Sequence, residues 1–344
     1  MISDAASGLL ADAAPIGSDA ARACAEEGRW FAPGWTMLAE AGFPQAMRPE
    51  EEGGVGCIGA MLIARMSGAA ALALPLVDAM AADWLLARAG APPVEGPVVL
   101  AAQPLDFNAT PAGVRIAGSL DAVPWARDCK LVCMGMLDGA LVAVILDRAE
   151  FAVTQGANLA DEPRDMVQAD ITVAPERMIA LPAGLDLDTP RQLGAVLRTA
   201  QMAGAAEAAV DMTVAYARDR KQFGRSLAGF QAVQQLLAII ATEAAAARMA
   251  SDMAAASLAR GMDARTVAVA KIRAGEAAGK IARTVHQIHG AIGYTRELPL
   301  QLLTRRLWSW RDEYGGEAEW SIALGRSLAA DGRALWASIT DIGA

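Results

Sequence analysis

Three patterns of hydrophobic and polar positions follow one another along the chain. Up to about Pro92, alanine-rich apolar runs are punctuated by Gly and Pro, which predicts helices joined by short loops. From Pro97 to about Leu181 the texture changes to short β-rich runs at residues 97–100, 114–117, 130–134, 141–146 and 170–173. Gly, Pro, Asn and Asp separate these runs, which predicts an antiparallel β-domain. Asp138-Gly139, between two of them, predicts a two-residue type I′ hairpin. After Asp188 the helical period returns, with segments expected at 190–218, 228–260, 263–290 and 297–312. Their apolar residues recur three and four apart, as in Leu236, Leu237, Ile240 and Ala241. Thr189-Pro190 reads as an N-cap followed by a first-turn proline. Four long helices sharing an apolar seam make a bundle. The expected organisation is mainly α with a central β-domain: an N-terminal helical domain over 1–95, an antiparallel β-domain over 96–185 and a C-terminal four-helix bundle over 186–344.

Composition narrows the possibilities. Of the 344 residues 54% are hydrophobic and 20% charged, enough apolar material for a large core. Only 5% are aromatic, and the weight of alanine favours close-packed helices. A formal net charge of −9 argues against nucleic-acid binding, which needs a basic face. The four cysteines, Cys24, Cys57, Cys129 and Cys133, lack C-x-x-C spacing and histidine companions, so neither a metal site nor a disulfide framework is expected. Reduced thiols, an N-terminus without a signal-peptide pattern, and an apolar stretch at 68–90 broken by Pro75, Asp78, Asp83 and Arg88 predict a cytoplasmic chain without membrane association.

Candidate chemistry concentrates in Ala217-Arg218-Asp219-Arg220-Lys221-Gln222-Phe223-Gly224, followed by Phe230-Gln231 and, far downstream, Gln287-Ile288-His289-Gly290. A planar cation, two amides and an aromatic ring at a turn suit a phosphate beside a flat ring system, since guanidinium matches phosphate as a bidentate fork. A second constellation, Asp312, Glu313, Tyr314, Gly315, Gly316, Glu317 and Glu319, clusters acids around one tyrosine. His286 and His289, the only histidines, lie three apart on a predicted helix.

Arg-x-Gln-Phe-Gly with a trailing Phe-Gln, Gln-x-x-Gly and Gly293-Tyr294-Thr295-Arg296-Glu297-x-Pro299 together resemble the flavin-binding signature of the acyl-CoA dehydrogenase family. Arg48-Pro49-Glu50-Glu51-Glu52-Gly53-Gly54-Val55-Gly56 resembles that family's interhelical loop. The resemblance implies FAD as cofactor, α,β-dehydrogenation of an acyl-CoA thioester as reaction and electron-transfer flavoprotein as acceptor. It assigns cofactor contacts to Arg220, Gln222, Phe223, Gln231, Gln287 and Gly290, reaching across a dimer interface to the flavin of the neighbouring subunit, with His289 lining the same wall or hydrogen-bonding within it.

Other parts of the family pattern are missing. Where members carry Thr-Glu-Pro and a Gly-Ser loop at the flavin ring, this chain has Ala101-Ala102-Gln103-Pro104. Where they carry Trp-Ile-Thr-Asn it has Val123-Pro124-Trp125-Ala126, with Trp125 read as a core residue. The glutamate base of Tyr-Glu-Gly-Thr falls at Gly315, and the flavin-contacting Thr at Glu317. The base position used by a minority of the family falls at Gly194 or Pro190. The pattern resembles one subunit of the heteromeric bacterial members, which act on bulky thioesters such as steroid side-chain CoA esters. The expectation is a base-lacking subunit that completes the flavin site of a homologous partner, in an α2β2 assembly. A self-sufficient homomeric enzyme using Glu313 or Glu317 as base, and a non-catalytic structural homologue, stand as alternatives.

Overall fold

The structure is a computed structural model that describes residues 2–330. Five helices come first: α1 (Ile2–Ala13), α2 (Asp19–Glu26), α3 (Ala32–Glu40), α4 (Gly56–Ala69) and α5 (Leu76–Arg88). Eight strands follow: β1 (Val98–Leu100), β2 (Asp106–Thr110), β3 (Gly113–Pro124), β4 (Lys130–Leu137), β5 (Ala140–Leu146), β6 (Ala152–Thr154), β7 (Arg164–Val173) and β8 (Ile179–Ala180). The remainder is α6 (Thr189–Asp219), a small hairpin of β9 (Lys221–Gln222) and β10 (Arg225–Ser226), then α7 (Gln231–Ala259), α8 (Ala264–His289), α9 (Leu300–Asp312) and α10 (Glu317–Ala330). Among the described residues, no helix is long and apolar enough to cross a membrane.

Chain contacts divide these residues into two compact units. One holds Ala23–Ala60 and Ala73–Gly194. Its strands form two four-stranded sheets, ordered β1-β4-β5-β8 and β2-β3-β7-β6, which share one apolar core including Ile116, Leu131, Val144 and Val167. The expected Asp138-Gly139 turn is present: Leu137 pairs with Ala140, and both turn residues have positive φ, 48° and 81°. One pairing departs from the expected antiparallel pattern. β1 runs parallel to β4, which is possible because two whole strands intervene to carry the chain back. The Arg48–Gly56 loop serves as a joint. The buried Arg48 guanidinium donates to both oxygens of Asp83, at 2.8 and 2.9 Å, and to the Ala91 carbonyl. Burial acts to raise the Asp83 carboxyl, against the pull of Arg48. Gly54 lies so close to Arg48 that an added Cβ would stand 2.0 Å from its carbonyl oxygen.

The other unit holds the described residues up to Arg22, Met61–Leu72 and those from Ala195 onward. Its core draws on α6, α7, α8 and α9, with small residues such as Ala206, Ala247 and Ala278 beside Ile281, Leu307 and Trp310. Alanine on facing positions lets helices approach closely, the more so where glycine replaces it. A Cβ on Gly68 of α4 would lie 2.0 Å from the Gln201 carbonyl oxygen of α6, and one on Gly204 would lie 1.8 Å from that of Arg65.

The four expected bundle helices are present as α6, α7, α8 and α9, and among the described residues a further helix, α10, follows them, where Glu317 and Glu319 supply the acidic first turn that favours a helix start. One expectation needs correction. Thr189 opens α6 as its first residue instead of capping it. Its hydroxyl donates to the Asp186 carboxylate and accepts the Asp186 amide, both at 2.9 Å.

Candidate functional site

The Arg-x-Gln-Phe-Gly segment forms the hairpin at the end of α6. The Arg220 amide donates to the Tyr216 carbonyl at 2.9 Å, ending the helix, and the Leu227 amide returns to the Arg220 carbonyl at 2.8 Å. Gln222 pairs with Arg225 and Lys221 with Ser226, leaving Phe223 and Gly224 at the tip with φ 52° and 80°. The geometry explains Gly224, and it turns Phe223 outward until its residue is 93% exposed. Among the described residues, the Arg220 guanidinium has no hydrogen-bond or ion-pair partner. Arg225 lies over the Phe230 ring at 4.0 Å, and Phe230 meets Phe223 edge-on at 6.3 Å.

Gln231 begins α7 after Phe230, which offers no side-chain cap, and Gln234 makes the first intrahelical bond to Phe230. The leading amides of α7 therefore lack intrahelical acceptors, as an anion-binding helix start does. Arg218, Arg220, Lys221 and Arg225 add cationic charge on the approach. Gln287 and Gly290 lie at the C-terminal end of α8, both exposed, with Gly290 at φ 65°. Tyr216 and His289 connect the two segments. Their rings stack at 4.3 Å with 24° between planes, and Tyr216 Oη donates a long 3.4 Å bond to the His289 carbonyl.

Both histidines are buried. His289 Nδ1 donates to the Val285 carbonyl at 2.8 Å, and His286 Nε2 meets Thr304 Oγ1 at 2.9 Å. His286 is sandwiched by Tyr294 at 4.2 Å and Trp308 at 5.8 Å. Burial lowers the pKa of each histidine, which favours the neutral ring.

The second constellation lies between α9 and α10. Tyr314 and Gly315 both take left-handed backbone, φ 58° and 97°, which makes the turn sharp and favours glycine at 315. The Glu313 carboxylate accepts from Arg198 Nε at 2.7 Å, and the Arg198 guanidinium also lies over the Trp310 and Tyr314 rings. Glu317 accepts from Arg311 Nε at 2.5 Å, and its side chain fills a hollow left by Gly275 on α8. From beneath, Lys271 Nζ donates to the carbonyls of Arg311 at 2.6 Å, Gly315 at 2.9 Å and Trp310 at 3.3 Å. Burial pulls the Lys271 pKa down to about 8, opposed by the negative charge of Glu313, Glu317 and Asp312. Trp320 Nε1 donates to the Tyr314 carbonyl.

The segments expected at the flavin ring lie in the other unit. Trp125 is 2% exposed and packs edge-on against Trp30 at 5.3 Å, so it is a core residue. Pro124 closes β3 after a bulge between Leu120 and Val123, and Gln103 Oε1 accepts the Asp121 amide at 2.7 Å. Among the described residues, no cluster of histidine, cysteine or acidic side chains could hold a metal ion.

Sequence reasoning passed over Tyr216, Arg198, Lys271 and Arg311. Lys271 was visible as a lone cation on the apolar face shared by Val267, Ala270 and Ala274, a position that demands a buried acceptor set.

With this geometry, the fold is that of the acyl-CoA dehydrogenases. The chain superposes on the ChsE4–ChsE5 complex from Mycobacterium tuberculosis with a TM-score of 0.84, covering 96% of this chain and 98% of that one at 23% identity. Residues 192–320 match the family profile described as acyl-CoA dehydrogenase, C-terminal domain. The 3-sulfinopropanoyl-CoA desulfinase of Paraburkholderia xenovorans is 45% identical over 102 residues, 30% of this chain and 26% of that protein. Acyl-CoA dehydrogenase IpdE2 of Mycolicibacterium smegmatis is 35% identical over 112 residues, 33% of this chain and 35% of that protein. The aligned stretches thus span only about a quarter to a third of these relatives' own lengths.

Proposed function

We propose that this chain is the base-lacking subunit of a heteromeric, FAD-dependent acyl-CoA dehydrogenase, completing the flavin site of a homologous partner in an α2β2 assembly. The observation that carries the proposal is the Tyr314–Glu317 turn. Gly315 has no side chain there, and both nearby candidate bases are engaged, Glu313 by Arg198 and Glu317 by Arg311. A carboxylate whose oxygens accept from a guanidinium must give up that contact before it can reach a substrate proton. This weighs against a self-sufficient enzyme using either acid.

The hairpin fits the FAD that such an enzyme requires. Arg220 is suited to the pyrophosphate, the uncapped start of α7 adds backbone donors at Gln231, and Phe223 offers an open ring face. Gln222, Gln287 and Gly290 complete the wall. Bound flavin would supply the hydride acceptor in the partner's site; this chain's residues would hold and orient it and keep water out. The substrate class is an acyl-CoA thioester. The desulfinase relative, named for a CoA thioester, supports that class, and the two-chain ChsE4–ChsE5 complex supports a heteromeric assembly. With one of each pair of sites lacking a base, a bulky acyl group such as a steroid side chain has room, and electron-transfer flavoprotein takes the electrons in the cytoplasm.

The test compares the chain purified alone with the chain co-expressed with a homologue carrying the missing glutamate. Alone it should hold little FAD and leave it oxidised when acyl-CoA is added anaerobically. About one flavin per chain, reduced by acyl-CoA in the single-chain preparation, would overturn the proposal.

A further inference from the structure

We propose that the Tyr216–His289 stack is the positioning contact of the cofactor wall, fixing the Arg220 hairpin against the Gln287–Gly290 end of α8. The inference rests on the wall reading above and adds the pair that sets its geometry. The two candidate contact segments are separated by α7 and most of α8 in sequence. Tyr216 touches both. Its carbonyl accepts the Arg220 amide that starts the hairpin, its ring lies flat on His289, and its hydroxyl reaches the His289 carbonyl.

His289 is itself held within its own helix. Nδ1 is spent on the Val285 carbonyl, which fixes the tautomer and leaves Nε2 as a buried acceptor without a partner. The neighbouring His286 anchors the same helix end through Tyr294, Trp308 and Thr304. A neutral ring seated this way presents a flat face and no net charge, which suits stacking on a phenol. The stack therefore acts through Arg220 and Gln287, and neither ring need touch a ligand.

The test is hydrogen exchange by mass spectrometry on the chain in complex with its co-expressed homologous partner, with and without ADP as probe. In His289→Leu, peptides covering 216–227 should exchange about 2- to 10-fold faster, the loss expected for one aromatic stack. Peptides from 264–282 should be unchanged. His289→Phe, which keeps a flat ring, should restore slow exchange. Tyr216→Phe should behave as wild type and Tyr216→Leu should repeat the effect from the other side, so a poorly folding histidine variant does not leave the question open. Unchanged exchange at 216–227 in both leucine variants, or an equal effect in the phenylalanine variants, would overturn the inference. ADP should protect 216–227 and the α8 end together in wild type, and unequally in the leucine variants. If ADP protects neither segment in wild type while the exchange pattern holds, the wall reading fails and the positioning of the hairpin by the stack stands.

Discussion

Replacing Lys271 with methionine should give a stability difference that grows with pH. In the folded chain the ammonium is buried, and burial pulls its pKa from 10.5 to about 8. A depressed lysine pKa means that the unfolded chain binds more protons between those two values, so the wild type gains stability as pH rises through that window. The whole shift corresponds to about 3 kcal/mol at about 1.4 kcal/mol per unit, and about 2 kcal/mol of it is recovered between about pH 7 and about pH 9.5. Set against that penalty, the amine holds the carbonyls of Trp310, Arg311 and Gly315, and methionine leaves all three without it. At about 1 kcal/mol each, the loss is also about 3 kcal/mol. Near pH 7 the two effects offset and Lys271→Met should be close to wild type. Near pH 9.5 the amine is neutral in the folded chain and keeps two N–H donors for the three carbonyls, and the wild type has regained about 2 kcal/mol, so the variant should be about 2 kcal/mol less stable. Urea unfolding followed by far-ultraviolet circular dichroism measures both chains at both pH values. Their other titrating groups are the same and cancel in the difference. A difference that stays constant or shrinks with rising pH would refute the reasoning, because it would mean that the ammonium is the form the site prefers.

The other predictions concern the same unit. Arg198→Ala should destabilise the fold by about 3–5 kcal/mol, since it leaves the largely buried Glu313 carboxylate without its guanidinium; urea unfolding reads this directly. Gly315→Glu should cost about 1–2 kcal/mol because the backbone there is left-handed, and stopped-flow measurement with added FAD should show no fast flavin reduction by acyl-CoA. Arg220→Ala should weaken FAD retention by about 10- to 150-fold in the co-expressed complex. The same change should leave the unfolding midpoint of the chain where it was, since the side chain is exposed.

The helices of the C-terminal half were legible because their period is strong: α7 and α8 fall within a few residues of the expected spans. β2, β6 and β8 were not. β2 buries only Phe107 fully, while β6 and β8 run for three and two residues, too short for alternation to register. The parallel pairing of β1 with β4 leaves no trace in either strand's own pattern. At the candidate site, the family resemblance supplied Arg220, Gln222, Phe223, Gln231, Gln287 and Gly290 as expected contacts. It could not show that Glu313 would be ion-paired or Tyr216 seated on a histidine, because Arg198 and His289 lie 115 and 73 residues away from them. Arg198 and Lys271 interrupt apolar stripes, and only the folded turn reveals the carbonyls and the carboxylate that they meet.

The reciprocal glycines between α4 and α6 have a mechanical consequence. Gly204 sits midway along the 31 residues of α6, and its contact with Arg65 is made by backbone, so repacking of nearby side chains cannot widen it. The crossing therefore behaves as a fulcrum. From it to the hairpin the helix runs about 24 Å at 1.5 Å per residue, so a tilt of about one degree moves Arg220 by about 0.4 Å. Binding groups need placement to about 0.5 Å. Lengthening either glycine by one methyl group would thus be felt most at the far tip of the lever, in a misaimed guanidinium about four and a half turns of helix away.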